Sequence, residues 1–128
     1  MNEKIVYSYR KLEVWKLAMN LVNAVYKVSK NFPDEEKFSL TSQLKRASIS
    51  IPLNIAEGSI KRTKKDFGSY IRISLGSLME LNTCLDIALN LKYIGQSEYG
   101  SLGDMSQELY FKLISLDKYL MKEISQAK

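Results

Sequence analysis

The amino-acid sequence predicts an all-α protein, an antiparallel up-down-up-down four-helix bundle. Its 128 residues suit one domain with one hydrophobic core. The chain has only two prolines and six glycines, and the long segments between them repeat apolar residues at helical spacing. Four such segments with short connections are typical of this fold. We assign residues 1–8 to an N-terminal tail, 9–124 to the bundle and 125–128 to a C-terminal tail.

The first helix is predicted from about Lys11 to Asn31 and ends where Pro33 disfavours helical geometry at the preceding residue. It carries two apolar stripes, although a bundle helix needs only one. One stripe comprises Leu12, Trp15, Met19, Val22 and Tyr26, and the other comprises Val14, Ala18, Leu21, Val25 and Val28.

The second helix is predicted to begin between Asp34 and Thr41 and to end near Gly58 to Lys61. Pro52 lies inside it, where we expect a kink and not a break because the apolar period continues beyond the proline. This helix also carries two apolar stripes. They comprise Leu40, Leu44, Ala47, Ile51 and Ile55, and Ile49, Leu53, Ala56 and Ile60.

The third helix is predicted to open with a capping box formed by Thr63 and Asp66. Its apolar stripe runs to about Tyr93, and Gly95 is the expected left-handed terminator. The fourth helix should start between Gln96 and Ser101, with a second possible box at Ser101 and Asp104. Its stripe comprises Leu102, Met105, Leu109, Leu113, Leu116 and Leu120.

The paired stripes of the first two helices predict self-association. A second stripe needs a partner beyond the bundle, because leaving it exposed would create a patch that is unusual on a soluble monomer. The alternative is a wider stripe inside a larger core. We expect a homo-oligomer.

The composition argues against an enzyme. Cys84 is the only cysteine and histidine is absent, so an internal disulfide is impossible and a structural zinc site is not expected. The commonest general base near neutral pH is also missing. No GxSxG, P-loop or GxGxxG motif occurs. We expect a protein without catalytic residues, cofactor or metal.

Nothing in the sequence predicts a membrane partner. No apolar stretch approaches the roughly 20 residues that span a bilayer. The segment from Met1 to Tyr9 lacks the apolar run and cleavage site of a signal peptide. We therefore expect a cytoplasmic location.

Polar residues recur along the second helix between its two apolar stripes, so they are expected to be partly buried and paired. On the third helix, Gly76 should allow close backbone approach, and Glu80 is a possible partner of Arg46. The structural interpretation is a network that sets helix register or a subunit contact. The functional alternative is that Arg46, Asn54 and Glu57 line a pocket. The predicted network comprises Gln43, Arg46, Asn54, Glu57, Gly76 and Glu80.

The net charge of +5 is concentrated in one segment. From Lys45 to Arg72 there are seven basic and two acidic residues, and the basic and acidic residues elsewhere cancel. In the first turn of the third helix, Lys64 and Lys65 oppose the helix dipole at a cost of roughly 0.3–1 kcal/mol each. Such lysines, together with free helix amides, form an anion site. The predicted nucleic-acid contacts are Lys61, Arg62, Lys64 and Lys65, supported by Lys45 and Arg72.

A solvated loop is the ordinary alternative for such a basic junction between helices. If copies of the chain form a ring, however, the junction repeats and becomes a multivalent basic surface. Only Tyr70 lies close to the junction in the sequence. Recognition of phosphates or RNA shape is therefore expected in preference to base reading.

Several motifs together resemble a known family along nearly the whole chain, from about Tyr9 to Ile124. The family is that of small four-helix-bundle proteins encoded in intervening sequences of bacterial large-subunit ribosomal RNA genes. The SIPxNIAEG-type segment is the most specific motif. The motifs are Leu12-Glu13-Val14-Trp15, Phe32-Pro33 with Glu36, Gln43-Leu44-Lys45-Arg46-Ala47, Ser50-Ile51-Pro52-Leu53-Asn54-Ile55-Ala56-Glu57-Gly58, and Gly76-Ser77 with Glu80.

The resemblance implies a bacterial, non-enzymatic protein that assembles as a homopentamer. A related branch, the accessory protein of diversity-generating retroelements, is a basic pentamer that binds nucleic acid and a reverse transcriptase. Two hypotheses follow. The first is an oligomeric protein that binds structured RNA through the basic junction, and the second is a scaffold or accessory subunit that binds a protein partner.

Overall fold

Four α-helices form most of the structure, a computed structural model that describes residues 4–126. They are α1 (Glu13–Ser29), α2 (Leu40–Ser59), α3 (Lys64–Asn90) and α4 (Gln96–Gln126), with short 3₁₀ helices at Ser8–Lys11 and Asp34–Glu36. No β-strand occurs between residues 4 and 126. Both α1 and α3 pack against α2 and α4. The predicted all-α class with four helices is confirmed.

The tail boundaries differ slightly from the prediction. Helix α4 continues through Gln126, so residues 125 and 126 belong to the helix and not to a tail. Residues 1–3 and 127–128 of the predicted tails lie outside the described range.

The core is built from one apolar stripe of each helix, as the periodicity predicts. On α1 the buried stripe is the one that contains Ala18, Leu21 and Val25, all 0% exposed. On α2 it is the stripe that contains Leu44 and Ile51. The predicted stripes of α3 and α4 are buried in their central parts. The core residues on these two helices include Ile71, Leu78, Leu81, Leu85, Ala88, Leu102, Leu109, Leu113 and Leu120.

The second stripes of α1 and α2 lie on the surface of the chain. On α1, Trp15 is half-buried and Tyr26 is exposed. On α2, Leu53 and Ile60 are 62% and 73% exposed, respectively. On α2 the structure therefore does not provide the larger core that was the alternative to self-association, whereas Trp15 on α1 packs partly against the core.

Helix α2 continues without a break through the buried Pro52, as predicted. A hydrogen bond beside the proline joins α2 to α3, because the Ser74 hydroxyl donates to the Ile51 carbonyl at 2.9 Å. The two helices are therefore linked by a buried polar contact at the centre of α2.

The predicted cap at the start of α3 is present, and its end is formed differently from the prediction. The Asp66 amide donates to Thr63 Oγ1 at 3.1 Å. At the other end the left-handed residue is Lys92, with φ of 63°, and Gly95 has no positive φ. The Tyr93 amide donates to the Ala88 carbonyl at 2.9 Å and the Lys92 amide to Leu89 at 3.0 Å. This pair of bonds is a Schellman motif, so the assignment of Gly95 as terminator was wrong.

Gly95 begins α4 instead of ending α3. The Tyr99 amide donates to the Gly95 carbonyl at 3.0 Å, and the Glu98 carboxylate accepts from the Gly95 amide at 3.4 Å. Ser101 is therefore already inside α4. The predicted box of Ser101 and Asp104 was wrong because the helix starts earlier.

Helices α2 and α3 approach each other closely at Gly58. A Cβ atom on Gly58 would lie 2.6 Å from the Tyr70 Cβ and 3.0 Å from Phe67 Cδ1. Gly76, for which close approach was predicted, is exposed, and a Cβ there would meet no atom within 4 Å. The prediction for Gly76 was therefore wrong within the chain.

Glu36 joins three segments at the far end of the bundle from Gly58. Its carboxylate accepts hydrogen bonds from the Tyr93 hydroxyl at 2.8 Å and the Ser39 hydroxyl at 3.0 Å. It also accepts from the Leu40 amide at 3.4 Å, at the start of α2. The bond from Tyr93, followed by those from Ser39 and Leu40, lowers the pKa of Glu36 from its ordinary value of 4.5.

We predict that Gly58→Ala lowers the free energy of unfolding by about 1–3 kcal/mol, because the new methyl group must displace Tyr70 or the α3 backbone. Gly76→Ala is the matched control. It should be neutral or stabilising by up to about 1 kcal/mol, because alanine is the better helix former and the site is open. Urea denaturation measures both values, and an unchanged stability of Gly58→Ala would contradict the close packing.

We predict that Glu36 contributes stability that is lost at acidic pH. Its folded-state pKa lies below 4.5, so the contribution is present above that value and disappears as the pH falls through the lowered folded pKa. The difference in melting temperature between the wild type and Glu36→Gln should therefore shrink on acidification. The neighbouring Glu35→Gln variant should keep the pH profile of the wild type; equal profiles for all three proteins would refute the role of Glu36.

Candidate nucleic-acid interface

The basic junction is a short connection between α2 and α3. Helix α2 ends at Ser59 and α3 begins at Lys64. The Lys61 amide donates to the Gly58 carbonyl at 3.1 Å, which turns the chain directly after the helix. The close contact at Gly58 keeps this connection tight. As a result, the four predicted cations occupy neighbouring positions on the surface, and all are exposed: Lys61, Arg62, Lys64 and Lys65.

These four cations have no carboxylate partner within 4.0 Å among residues 4–126. Two of them lie over aromatic rings instead. Lys61 Nζ is 5.1 Å from the centroid of Tyr70, and Lys64 Nζ is 5.8 Å from that of Tyr119. At exposed sites such contacts contribute only about 0.5–1 kcal/mol. The ammonium groups therefore remain available to an external anion.

The two predicted supporting cations do not join the junction equally. Arg72 donates to Asp117 Oδ1 at 2.9 Å, so its charge is compensated and links α3 to α4. Lys45 lies sixteen positions before Lys61, or about 24 Å along a helix. Its Nζ sits 4.9 Å from the ring centroid of Tyr26. The structure therefore places Lys45 away from the junction.

Contacts between distant segments enlarge the basic surface. Lys112 pairs with Glu13 at 3.3 Å, which joins α4 to the start of α1. Two further contacts join α4 to the start of α3: Lys64 with Tyr119, and Arg72 with Asp117. Residues 4–16, 54–72 and 110–126 form this part of the bundle, named here the basic end. They hold twelve basic and five acidic residues, whereas residues 17–53 and 73–109 hold six and eight. The basic end therefore carries a net +7 and the rest a net −2.

The basic residues that α4 and the N-terminal segment add to this end were not predicted from the sequence. They are exposed and separated from the junction by about fifty residues or more in the chain, so no local run of charge revealed them. The available indication was their position close to the predicted start of the first helix and the predicted end of the fourth. They include Arg10, Lys11, Lys118 and Lys122.

Aromatic side chains also cluster at the basic end, at the start of α1. The rings of Tyr7 and Tyr9 stack with centroids 6.2 Å apart, and the Arg10 guanidinium lies 5.4 and 5.6 Å from them. Tyr9 meets Trp15 edge-on at 5.2 Å. Tyr7 is 53% exposed. From the sequence, Tyr70 was the only aromatic residue expected near the junction. The cluster at the start of α1 was therefore not predicted and is known only from the structure.

The predicted polar network is present only in part. The Asn54 amide donates to the Ser50 carbonyl at 2.8 Å and to its hydroxyl at 3.0 Å. Ser50 in turn shares a hydrogen bond of 2.8 Å with Ser77 on α3. The other predicted members make no such contact within the described range, and Arg46 and Glu80 form no ion pair there. These exposed residues are Gln43, Arg46, Glu57, Gly76 and Glu80.

Residues 4–126 contain no group of three side chains suited to hold a metal ion. Within these residues no helix is long and apolar enough to cross a membrane. Cys84 is buried, and desolvation, with a smaller effect of Glu80, raises the pKa of its thiol. The thiol is therefore a poor nucleophile at neutral pH.

Comparisons with known proteins agree with this architecture. The model of a family described as 23S rRNA-intervening sequence protein matches residues 10–115. A solved structure from Bacteroides thetaiotaomicron, of a protein with unknown function from the S23 ribosomal protein family, superposes with a TM-score of 0.76. The two sequences are 26% identical, and the match covers 82% of this chain and 98% of that one. A comparison with curated proteins finds no match.

We predict that Lys64→Glu and Lys65→Glu each raise the free energy of unfolding by about 0.3–1 kcal/mol, because an acid in the first turn of α3 complements the helix dipole. Urea denaturation at low ionic strength measures the gain, which high salt should reduce. Lys27→Glu in the last turn of α1 is the control for charge reversal; it should lower the free energy of unfolding, because an acid at a helix C-terminus opposes the dipole. A loss of stability in both α3 variants would show that these lysines have an unrecognised structural role.

Proposed function

Because the chain belongs to the 23S rRNA-intervening sequence protein family, we propose that it is a non-enzymatic, oligomeric RNA-binding protein of the bacterial cytoplasm. The observation that supports this proposal is the segregation of charge. The basic end carries a net +7 while the rest of the described chain carries a net −2. Four of its cations have no acidic partner within residues 4–126.

The basic end suits the phosphate backbone of RNA. Lys64 and Lys65 lie beside the first amides of α3, so an anion there meets both ammonium groups and helix N–H donors. Lys61 and Arg62 extend the surface towards the end of α2. Contacts to phosphates position an RNA without specifying its bases. Binding at this end is accordingly expected to depend on the shape of the RNA more than on its sequence.

The aromatic cluster adds a possible contact to unpaired bases. The exposed ring of Tyr7 stacks on Tyr9 beside the Arg10 guanidinium. Unpaired RNA bases stack on aromatic rings and on guanidinium planes. A structured RNA with a single-stranded loop or end would engage both features of the basic end.

The proposal includes an antiparallel up-down-up-down order of the helices and assembly into a homo-oligomer. The helix order is supported by contacts that pair late residues of α2 with early residues of α3, since Gly58 lies at Tyr70 whereas Ser50 lies at Ser77. Self-association is supported by the second stripe of α2, in which Leu53 and Ile60 are exposed, and by the partly exposed second stripe of α1. A pentamer is the state that the family resemblance implies. A ring of copies would repeat the basic end and increase avidity for a single RNA.

The decisive experiment is a titration of a structured hairpin RNA with nuclease-treated protein at several salt concentrations. Binding should weaken steeply with salt, because each phosphate contact adds about 0.7–0.9 to the magnitude of the log–log slope. In a variant with Lys61, Lys64 and Lys65 changed to Gln, affinity should fall at all salt concentrations. The magnitude of the slope should fall by about two to three.

The matched control changes Lys27, Lys30 and Lys92 to Gln, which removes the same charge outside the basic end. Its affinity should stay close to that of the wild type. Equal losses in the two triple variants would mean that net charge alone attracts RNA. Absence of binding even at low salt would remove the RNA function and favour the alternative, a scaffold or accessory subunit that captures a protein partner.

A further inference from the structure

Two grooves of opposite charge lie on different helices of the bundle. The basic groove runs along the outer face of α2 and places Lys37, Lys45 and Arg46 around Phe38, Ile49 and Leu53. The acidic groove lies between α3 and α4 and contains two carboxylates, Asp86 and Asp104. Its remaining lining includes apolar side chains and glycines: Met79, Tyr110, Gly100 and Gly103. Each has a volume of about 600 Å³. The grooves are therefore similar in size and share no residue.

Both grooves expose large apolar side chains. In the basic groove Phe38 is 90% exposed and Leu53 is 62% exposed. In the acidic groove Met79 is 44% exposed. Apolar surface of this kind beside a charged margin is typical of a protein–protein contact. A nucleic acid would use the cations of the basic groove but would leave Phe38 and Leu53 without apolar partners.

The charges of the two grooves are complementary. The basic groove is lined by three cations and no carboxylate, and the acidic groove by two carboxylates and no cation. None of these five groups forms an ion pair within residues 4–126. Asp86 accepts a hydrogen bond from the Tyr99 hydroxyl and Lys45 lies over Tyr26, so both are held in place without being neutralised.

The glycines of the acidic groove also indicate a partner. Gly100 and Gly103 lie inside α4, where glycine destabilises a helix by roughly 0.5–1 kcal/mol relative to alanine. Neither has a positive φ, and a Cβ at either position would meet no atom of the chain within 4 Å. Nothing inside the chain therefore requires these glycines. They leave a flat surface on α4 that a neighbouring helix can approach closely.

We infer that the basic groove of one copy of this chain binds the acidic groove of a second copy. The inference rests on the self-association included in the proposed function and assigns it to specific surfaces. A second copy is the fitting partner because the same molecule carries both complementary grooves. Such a contact is heterologous, so each copy uses both grooves and successive copies form a closed ring or an open chain.

Two single substitutions test the contact in RNA-free protein. Leu53→Glu disables the basic groove, Met79→Glu disables the acidic groove, and each variant alone should be monomeric by multi-angle light scattering. An equimolar mixture should give dimers, because one intact groove of each kind remains. The control Met121→Glu changes an exposed apolar residue outside both grooves and should keep the oligomeric state of the wild type. Circular dichroism and melting curves establish that all variants are folded.

Charge reversal provides a second test that does not depend on the apolar substitutions. The pair Lys45→Glu and Arg46→Glu, or the pair Asp86→Lys and Asp104→Lys, should weaken self-association by at least about tenfold, because like charges then face each other. All four changes in one chain should restore it. The inference would be overturned if the wild type were monomeric or if the mixture stayed monomeric. It would also be overturned if the chain with all four charge reversals failed to regain self-association. These outcomes are measured without RNA, so they are distinct from failure of RNA binding.

Discussion

The close packing of α2 against α3 at Gly58 is the constraint on which the shape of the basic end depends. With no side chain at this position, the last turn of α2 lies against Tyr70 and Phe67 in the first turns of α3. The connection between the helices can then be only four residues, 60–63. Because so few residues join two tightly packed helices, the side chains of Lys61 to Lys65 have no room in the interior. They project into solvent together, and Thr63 supplies the cap that starts α3 at Lys64.

The position of Lys64 and Lys65 conflicts with local stability, and this conflict supports a functional interpretation. Lysines in the first turn of a helix oppose its dipole, and the cations of the junction gain little from their weak contacts with Tyr70 and Tyr119. By contrast, Arg72 two turns later is matched by Asp117. Arg72, which links α3 to α4, thus has a carboxylate partner, whereas the cations of the junction have none within residues 4–126. An external polyanion would supply the missing negative charge.

The two grooves differ from the junction, because their charges surround exposed apolar side chains. The basic groove on α2 and the acidic groove between α3 and α4 have complementary linings and lie away from the junction. The cations therefore form two groups with different proposed partners. Lys37, Lys45 and Arg46 belong to the proposed contact between copies, and Lys61 to Lys65 belong to the proposed contact with RNA. Because neither groove is lined by residues 61–65, assembly through the grooves would leave the cations of the junction accessible.

The sequence by itself determined the helices, their apolar stripes, the Thr63 cap and the cluster of cations at the junction, because each depends on residues within a few turns of one another. Tertiary structure decided the rest. Gly58 and Gly76 are both glycines on helices, and only the packing of α3 shows that the first is crowded and the second open. Lys92 adopts the left-handed conformation expected of Gly95 because α3 ends earlier than its apolar period suggested. The pairing of Arg72 with Asp117, and the gathering of three separate segments into one basic end, join residues far apart in the chain. Such contacts are set by the way whole helices pack, which local periodicity does not specify.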